Sequence, residues 1–248
     1  MQWTARQLRD HKEAARLLEV IKNQSYALVA DALAQKRTIC EADVARFILE
    51  KFEENNMVCD PEVPIVAFGS SAAAPHYHAP ERGSKVITRG NVLLIDIWSK
   101  LNIMDAPYAD ITWMAWTGGP IPDDVQVAFE SVLAARDAGI LFLEENLHPG
   151  LIGHEVDTVV RGMLAKEGLD KAFIHGTGHH LSPEHVHGDG YNFKQKDKRV
   201  IRYDTGATIE PGVYFEGKFG IRSECDVFLS DAGVEITTPL QKDWIVLE

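Results

Sequence analysis

One order of hydrophobic patterns runs through this chain twice, and that repetition constrains the fold more than any other feature. Ala14, Leu17, Leu18 and Ile21 recur at helical spacing and predict a helix from about Thr4 to Gln35. A second helix follows at once. Thr38 and Glu41 have the spacing of a capping box, and Val44, Phe47, Ile48 and Phe52 supply the apolar stripe. Past Asn56 the pattern changes to short apolar runs between turn residues, Val63–Phe68, Val92–Trp98 and Ala109–Trp116, which read as strands. Gly118-Gly119-Pro120 interrupts the chain and the order restarts. Val125, Phe129, Val132 and Leu133 mark a helix from about Pro122 to Leu147, and Val156, Val159, Val160, Met163 and Leu164 mark another. Strands are predicted at Ala172–His175, Ala207–Ile209, Gly212–Phe215, Ile221–Leu229 and near the C-terminus. With no Pro-, Gly- or charge-rich linker between the two passes, the expectation is a single α+β domain over residues 1–248 built of two similar halves.

Charge narrows the partners. The 248 residues carry 37 Asp and Glu against 25 Lys and Arg, a formal net charge of -12. Such a surface repels phosphate backbones and acidic lipid headgroups, so nucleic acid and membrane are not expected partners. No apolar stretch approaches the roughly 20 residues of a membrane helix. The start, Met1-Gln2-Trp3-Thr4, lacks the basic end and apolar centre of a secretory signal. Cys40, Cys59 and Cys225 are odd in number and far apart, which predicts free buried thiols in a reducing cytoplasm.

The chemistry lies in carboxylates placed where strands should be buried. Asp96 interrupts Val92-Leu-Leu-Ile-Asp-Ile-Trp98, and Asp110 lies in Tyr108-Ala-Asp-Ile-Thr112. Glu210 lies in Ala207-Thr-Ile-Glu-Pro-Gly212 and Glu224 in Gly220-Ile-Arg-Ser-Glu224. A charge in such a run costs several kcal/mol, as an order of magnitude, unless it is paired or metal-bound. Taken singly, each could be an ordinary strand carboxylate facing water or an Arg. Alongside them, five of the ten histidines crowd between His175 and His187. The joint explanation is a cation site of hard oxygen ligands plus one imidazole, suited to Mn, Fe or Co at least as well as Zn. Four carboxylates exceed the needs of one ion, and bridging carboxylates hold two ions about 3.5 to 4 Å apart.

These residues, in these local motifs, resemble the pita-bread metallopeptidases, the family of methionine aminopeptidase, prolidase and aminopeptidase P, over nearly the whole chain. The resemblance implies an α+β pita-bread fold of two pseudo-symmetric halves with helices and antiparallel strands. It implies dinuclear metal ligands in the order Asp96, Asp110, His179 (in Thr177-Gly-His179), Glu210 and Glu224. His76, in Pro75-His-Tyr77, and His187, in Val186-His187, match substrate-handling positions. Arg222, two residues before Glu224, resembles prolidase and aminopeptidase P, and is expected to bind substrate. The chain is expected to hold the catalytic domain without the N-terminal extension of the larger Xaa-Pro enzymes.

Three features depart from the family pattern. Asp96 and Asp110 are fourteen residues apart, which implies an inserted loop around Leu101 to Ala106 with Asp105 as a competing ligand. His179 and His187 are eight apart, one more than in many members, leaving His180 as the fallback ligand. Trp113 follows Asp-Ile-Thr where many members have Arg, and is expected to alter the wall of the substrate pocket.

The implied activity is hydrolysis of Xaa-Pro bonds at the N-terminus of short peptides by a hydroxide held between two divalent ions. Manganese is the foremost candidate, with cobalt, iron and zinc as the others. Glu210 would shuttle the proton, and His76 and His187 would hydrogen-bond the substrate and the tetrahedral oxyanion. The expected partner is a short peptide, and a homodimer is compatible with the resemblance. The alternatives are a methionine aminopeptidase and a non-catalytic binding module on the same fold.

Overall fold

The computed structural model describes residues 2–59 and 63–248, so Met1 and residues 60–62 lie outside the described residues. Thr4 opens the first helix, α1 (Ala5–Ala34), where the periodicity places it. The Thr4 hydroxyl accepts from the Gln7 N–H and the Gln7 side chain accepts from the Thr4 N–H. Gln35 is its C-cap, as the sequence predicts.

The second helix, α2 (Glu41–Glu54), starts differently from the expectation. Thr38 and Glu41 do not form its capping box. Cys40 is the N-cap, and the Asp43 carboxylate accepts from the Cys40 N–H at 3.0 Å. Glu41 is fully buried instead, and its carboxylate accepts from the N–H groups of Phe68 and Lys85 and from the Tyr77 hydroxyl. It anchors α2 to a loop far away in sequence, which local spacing does not encode.

The strands of the first half are β1 (Met57–Val58), β2 (Ile65–Phe68), β3 (Val92–Leu101) and β4 (Ala109–Trp116). They are followed by α3 (Asp123–Asn146) and α4 (Gly153–Lys166). The second half continues with β5 (Gly178–Leu181), β6 (Asn192–Phe193), β7 (Thr205–Ile209), β8 (Gly212–Phe215), β9 (Phe219–Arg222), β10 (Cys225–Ser230), β11 (Gly233–Ile236) and β12 (Ile245–Val246). One sheet has the order β1-β3-β4-β12 with β2 on β3, another has the order β11-β10-β7-β5-β6, and β8 and β9 form a hairpin. All pairings among these strands are antiparallel except β12 on β4.

Strand parity explains the continuous apolar run of β3. Its odd residues Leu93, Ile95 and Ile97 pack with Leu18, Ile21 and Val29 of α1 and Ile48 of α2. Its even residues Val92, Leu94 and Trp98 join a second core with Ala128, Phe129 and Val132 of α3. Both faces are buried, so the run needs no polar alternation, and each large aliphatic contributes about 1.5 to 3 kcal/mol. On the other side, Ile140 and Leu143 of α3 pack with Ala207, Ile209, Val227 and Leu229 of β7 and β10. Residues of β3, β4, β5 and β9 line one cavity.

Two predicted strands change. Ala172–His175 is no strand: Asp170–Ala172 forms a short 3-10 turn, and pairing begins only at Gly178. Ile221–Leu229 is two strands, broken at Ser223 and Glu224. Of the three cysteines, expected to be buried, only Cys225 is, with Cys40 and Cys59 half-buried.

Candidate metal centre

The β3–β4 ladder sets the first two carboxylates. Asp96 stands opposite Thr112 and Trp98 opposite Asp110, so Asp96, Thr112 and Asp110 share the inner face. The fourteen-residue separation is absorbed by the 102–108 loop, beyond the end of the ladder. Asp105 sits in that loop at φ 60°, outside the residues lining the cavity, so it does not compete as a ligand.

His179 comes from β5, which lies close against β7. A Cβ at Gly178 would fall 2.0 Å from the Thr208 carbonyl oxygen, so only glycine permits the approach that seats His179. The His179 N–H donates to the Thr208 hydroxyl at 3.0 Å. Its neighbour His180 points to the opposite face, with its ring beneath Gly188 and Gly190, and is not part of this cavity. Glu210 sits directly after β7, where the predicted strand Ala207–Ile209 ends, and Glu224 lies not inside the predicted strand but in the break before β10. Leaving the ladder frees their carboxylates to turn inward. The Glu210 N–H donates to the Thr177 carbonyl at 2.6 Å, and the Glu224 N–H to the Thr112 carbonyl at 3.1 Å.

All eight residues singled out in the sequence line one cavity of about 210 Å³: His76, Asp96, Asp110, His179, His187, Glu210, Arg222 and Glu224. Donor atoms of Asp110, His179 and Glu224 lie within 4.8 Å of one another. His179 Nε2 is 3.7 Å from Asp110 Oδ2 and 3.5 Å from Glu210 Oε1, too long for good hydrogen bonds. Asp96 is held differently, with its Oδ2 paired to the Arg222 guanidinium. His187 packs against His179 with ring centroids 4.3 Å apart, and His76 and His187 are both exposed on the cavity wall.

Arg222 organises the side of the cavity away from His179. It donates to the Thr112 hydroxyl at 3.0 Å and the Tyr214 hydroxyl at 2.8 Å, as well as to Asp96. Thr112 in turn donates to Glu224 Oε2 at 2.7 Å. His175 Nε2 lies 2.7 Å from the Tyr214 hydroxyl, which extends the chain. In the sequence His175 belongs to the histidine cluster without a role of its own, and Tyr214 and Thr112 carry no local signal. The dense run of histidines was the one available signal for His175. Close packing places the segment carrying His76, since a Cβ at Gly220 would fall 1.9 Å from the Ala72 carbonyl oxygen.

Trp113 is on the other face of β4. It packs with the first-half helices, carries the Lys22 ammonium 3.2 Å from its ring centroid, and does not line the cavity. The expected change in the pocket wall therefore does not occur. Alternation along the strand sends Thr112 in and Trp113 out.

The electrostatics of this cavity suit cations. Burial, then the charges of Glu224 and Asp96, raises Asp110 well above the carboxylate range. Burial, then Glu210 and Asp96, does the same to Glu224. Burial is also the main reason that Glu210 rises to about 7. Burial and then His187 push His179 down to about 3, leaving its imidazole neutral and able to act as a ligand. Asp110 Oδ1 is buried without a hydrogen-bond partner. Three repelling carboxylates, a neutral imidazole and an orphaned oxygen form a donor set that fits divalent cations.

An acidic cavity with the His179 imidazole among clustered carboxylates is the arrangement of a metal centre. The chain belongs to metallopeptidase family M24, whose model matches residues 10–231. It is 27% identical over 230 residues to the Xaa-Pro dipeptidase of Pyrococcus furiosus, covering 91% of this chain and 62% of the relative. It is 30% identical over 210 residues to a probable dipeptidase PepE of Mycobacterium bovis, 84% of this chain and 52% of the relative. An X-Pro aminopeptidase structure from Thermotoga maritima matches with a TM-score of 0.84 at 28% identity, covering 99% of this chain and 64% of that one. A Xaa-Pro dipeptidase structure from Bacillus anthracis matches with a TM-score of 0.85 at 25% identity, covering 99% of this chain and 64% of that one. The fold is therefore the α+β pita-bread fold. The chain spans less than two thirds of the length of these relatives.

Proposed function

We propose that the chain hydrolyses Xaa-Pro bonds at the N-terminus of short peptides, using two divalent cations held by Asp96, Asp110, His179, Glu210 and Glu224. The observation that carries this reading is the convergence of Asp110, His179 and Glu224 donor atoms within 4.8 Å, in a chain of family M24. Relatives bearing Xaa-Pro names support the substrate class. Bound there, the cations supply Lewis acidity, polarising a peptide carbonyl and acidifying water. Manganese is the cation we favour for a set this rich in carboxylates.

The chain's own residues supply the rest. Glu210 borders the cavity, where its carboxylate takes the proton of the attacking water and returns it to the leaving amine. His76 and His187 are exposed on the cavity wall, where their ring N–H groups can donate to the substrate and to the oxyanion as it forms. Arg222 borders the same cavity, holds Asp96 in place and limits the repulsion among the carboxylates. Lys194 lines the cavity, is exposed, and its ammonium has no hydrogen bond or ion pair among the described residues. Its charge offers a partner for the free carboxylate of a short peptide, while the acidic floor attracts the amino end. The free thiols of Cys40 and Cys225 suit a reducing compartment, and we place the protein in the cytoplasm.

The test is an assay of metal-free protein reloaded with Mn²⁺ or Co²⁺ on Xaa-Pro dipeptides, longer Xaa-Pro peptides and Met-Ala peptides. Cleavage of Xaa-Pro bonds ahead of Met-Ala is the expected result. Preference for Met-Ala would assign a methionine aminopeptidase instead, and no hydrolysis with any metal would leave a binding module.

A further inference from the structure

We propose that Asp226 is a positioning residue that sets Asp110 for cation binding by standing in for a missing strand; this rests on the reading of Asp110 as a ligand. Along 109–112, one edge of β4 pairs with β3 and the other faces the chain around Glu224. There the Glu224 N–H donates to the Thr112 carbonyl at 3.1 Å, as an antiparallel neighbour would. Two residues on, the chain has become β10 and pairs with β7, Asp226 opposite Thr208, so its backbone no longer serves β4. The N–H of Asp110, a buried residue, would be left without a protein partner. The Asp226 side chain fills that place, its Oδ2 accepting from the Asp110 N–H at 2.9 Å.

Asp226 is itself held from several sides. It is fully buried, its N–H donates to the Thr238 hydroxyl at 2.7 Å, and its carbonyl accepts from the Thr237 N–H at 2.9 Å. His11 of α1 lies against it, Nε2 3.8 Å from Asp226 Oδ2 and 2.7 Å from the Thr237 hydroxyl. The other nitrogen of His11 lies 2.8 Å from the carbonyl of Tyr108, two residues before Asp110. A carboxylate from the second half thus fixes the backbone of a ligand from the first. His11 braces both. Nothing in the five-ligand pattern requires an acid at this position.

The experiment compares Asp226→Asn, which keeps an oxygen acceptor, with Asp226→Leu, which has none, by calorimetric titration of the metal-free proteins with Mn²⁺. Asp226→Asn is expected to bind within about threefold of wild type, and Asp226→Leu about 10- to 100-fold more weakly, the range for partners that orient ligands. Amide exchange at Asp110 is expected to be slow in wild type and the Asn variant and fast in the Leu variant. Equal affinity of wild type and the Leu variant, or equal loss in both variants, would overturn the proposal while leaving the metal centre standing. Absence of Mn²⁺ binding by wild type would instead overturn the metal centre, and the proposal with it. If the Leu variant does not fold, wild type decides the matter by NMR. A coupling across the hydrogen bond from the Asp110 amide nitrogen to the Asp226 carboxyl carbon is expected, and its absence would refute the proposal.

Discussion

His179 and His180 are adjacent on β5, are both buried, and face two different environments. His179 looks into the cavity with Asp110, Glu210 and Glu224 around it. His180 lies beneath the glycines of the 188–190 turn and borders a pocket of mixed charge that includes Glu184, Asp189, Arg199 and Arg202. Burial pushes both imidazoles down, to about 3 and about 4, so both are neutral at pH 7. Their protonation therefore does not distinguish them. What does is the company on each face, since three carboxylates that repel one another stay together only if cations or protons neutralise them. Thr112 and Trp113 repeat the lesson on β4, where one step along the strand separates a cavity hydroxyl from a ring on the helix side.

The sharpest way to break this contrast is to alter the cavity face and its reverse in parallel. Glu210→Ala is expected to lower Xaa-Pro turnover by about 10²- to 10⁴-fold, whereas His180→Ala leaves it close to wild type. Comparable losses in both, measured as kcat on one dipeptide, would erase the distinction.

A second effect lies in the balance of charge. Arg222 and Asp96 form a buried pair, and Arg222→Met leaves Asp96 uncompensated beside the other acids. Denaturant unfolding of the metal-free variant is expected to show a loss of about 3 to 5 kcal/mol. Saturating Mn²⁺ is expected to recover part of it, because cations bind the folded state alone. No recovery would argue that Arg222 serves packing rather than the carboxylate cluster.

A smaller effect is the share of the pH dependence that one group outside the cavity contributes. Burial is the main cause that lowers His11 from 6.5 to about 4. Below pH 6.5 the unfolded chain takes up a proton that the folded chain refuses until about pH 4. The stability associated with neutral His11 is complete above pH 6.5 and is lost as pH falls toward 4, amounting to about 2 kcal/mol between pH 7 and pH 5. His11→Gln should flatten the stability profile by that amount over the same interval, as read from denaturant midpoints. An unchanged slope would show that His11 does not stay neutral.

The smallest expected effect is at Trp113. Trp113→Phe weakens the contact with Lys22, worth about 1 kcal/mol of stability, without altering KM or kcat. A shift in KM would bring this ring back to the substrate pocket.

Much of this was legible in the sequence because its signals were local. Helical spacing located α1 and α3 to within a residue of their caps. An acid inside an apolar strand marked Asp96 and Asp110, and the short motifs around His179, Glu210 and Glu224 led to one cavity. What escaped depends on register and on contacts far apart in the chain. Glu41 matched a capping box by spacing yet serves a buried loop anchor, because Phe68 and Lys85 come to it from elsewhere. The link from His175 through Tyr214 and Arg222 to Asp96 joins four segments. Asp226 carried the same signal, an acid inside the predicted strand Ile221–Leu229, but no motif gave it a role, since that role exists only where β10 departs from β4.

Everything proposed above depends on the two halves of the chain holding divalent cations between them. Calorimetric titration of the metal-free protein with Mn²⁺, beside the Glu224→Ala variant, tests it most directly. Two ions per chain in wild type and loss of binding in the variant is the result this account requires. Absence of binding in wild type, or the same binding in both proteins, would contradict it.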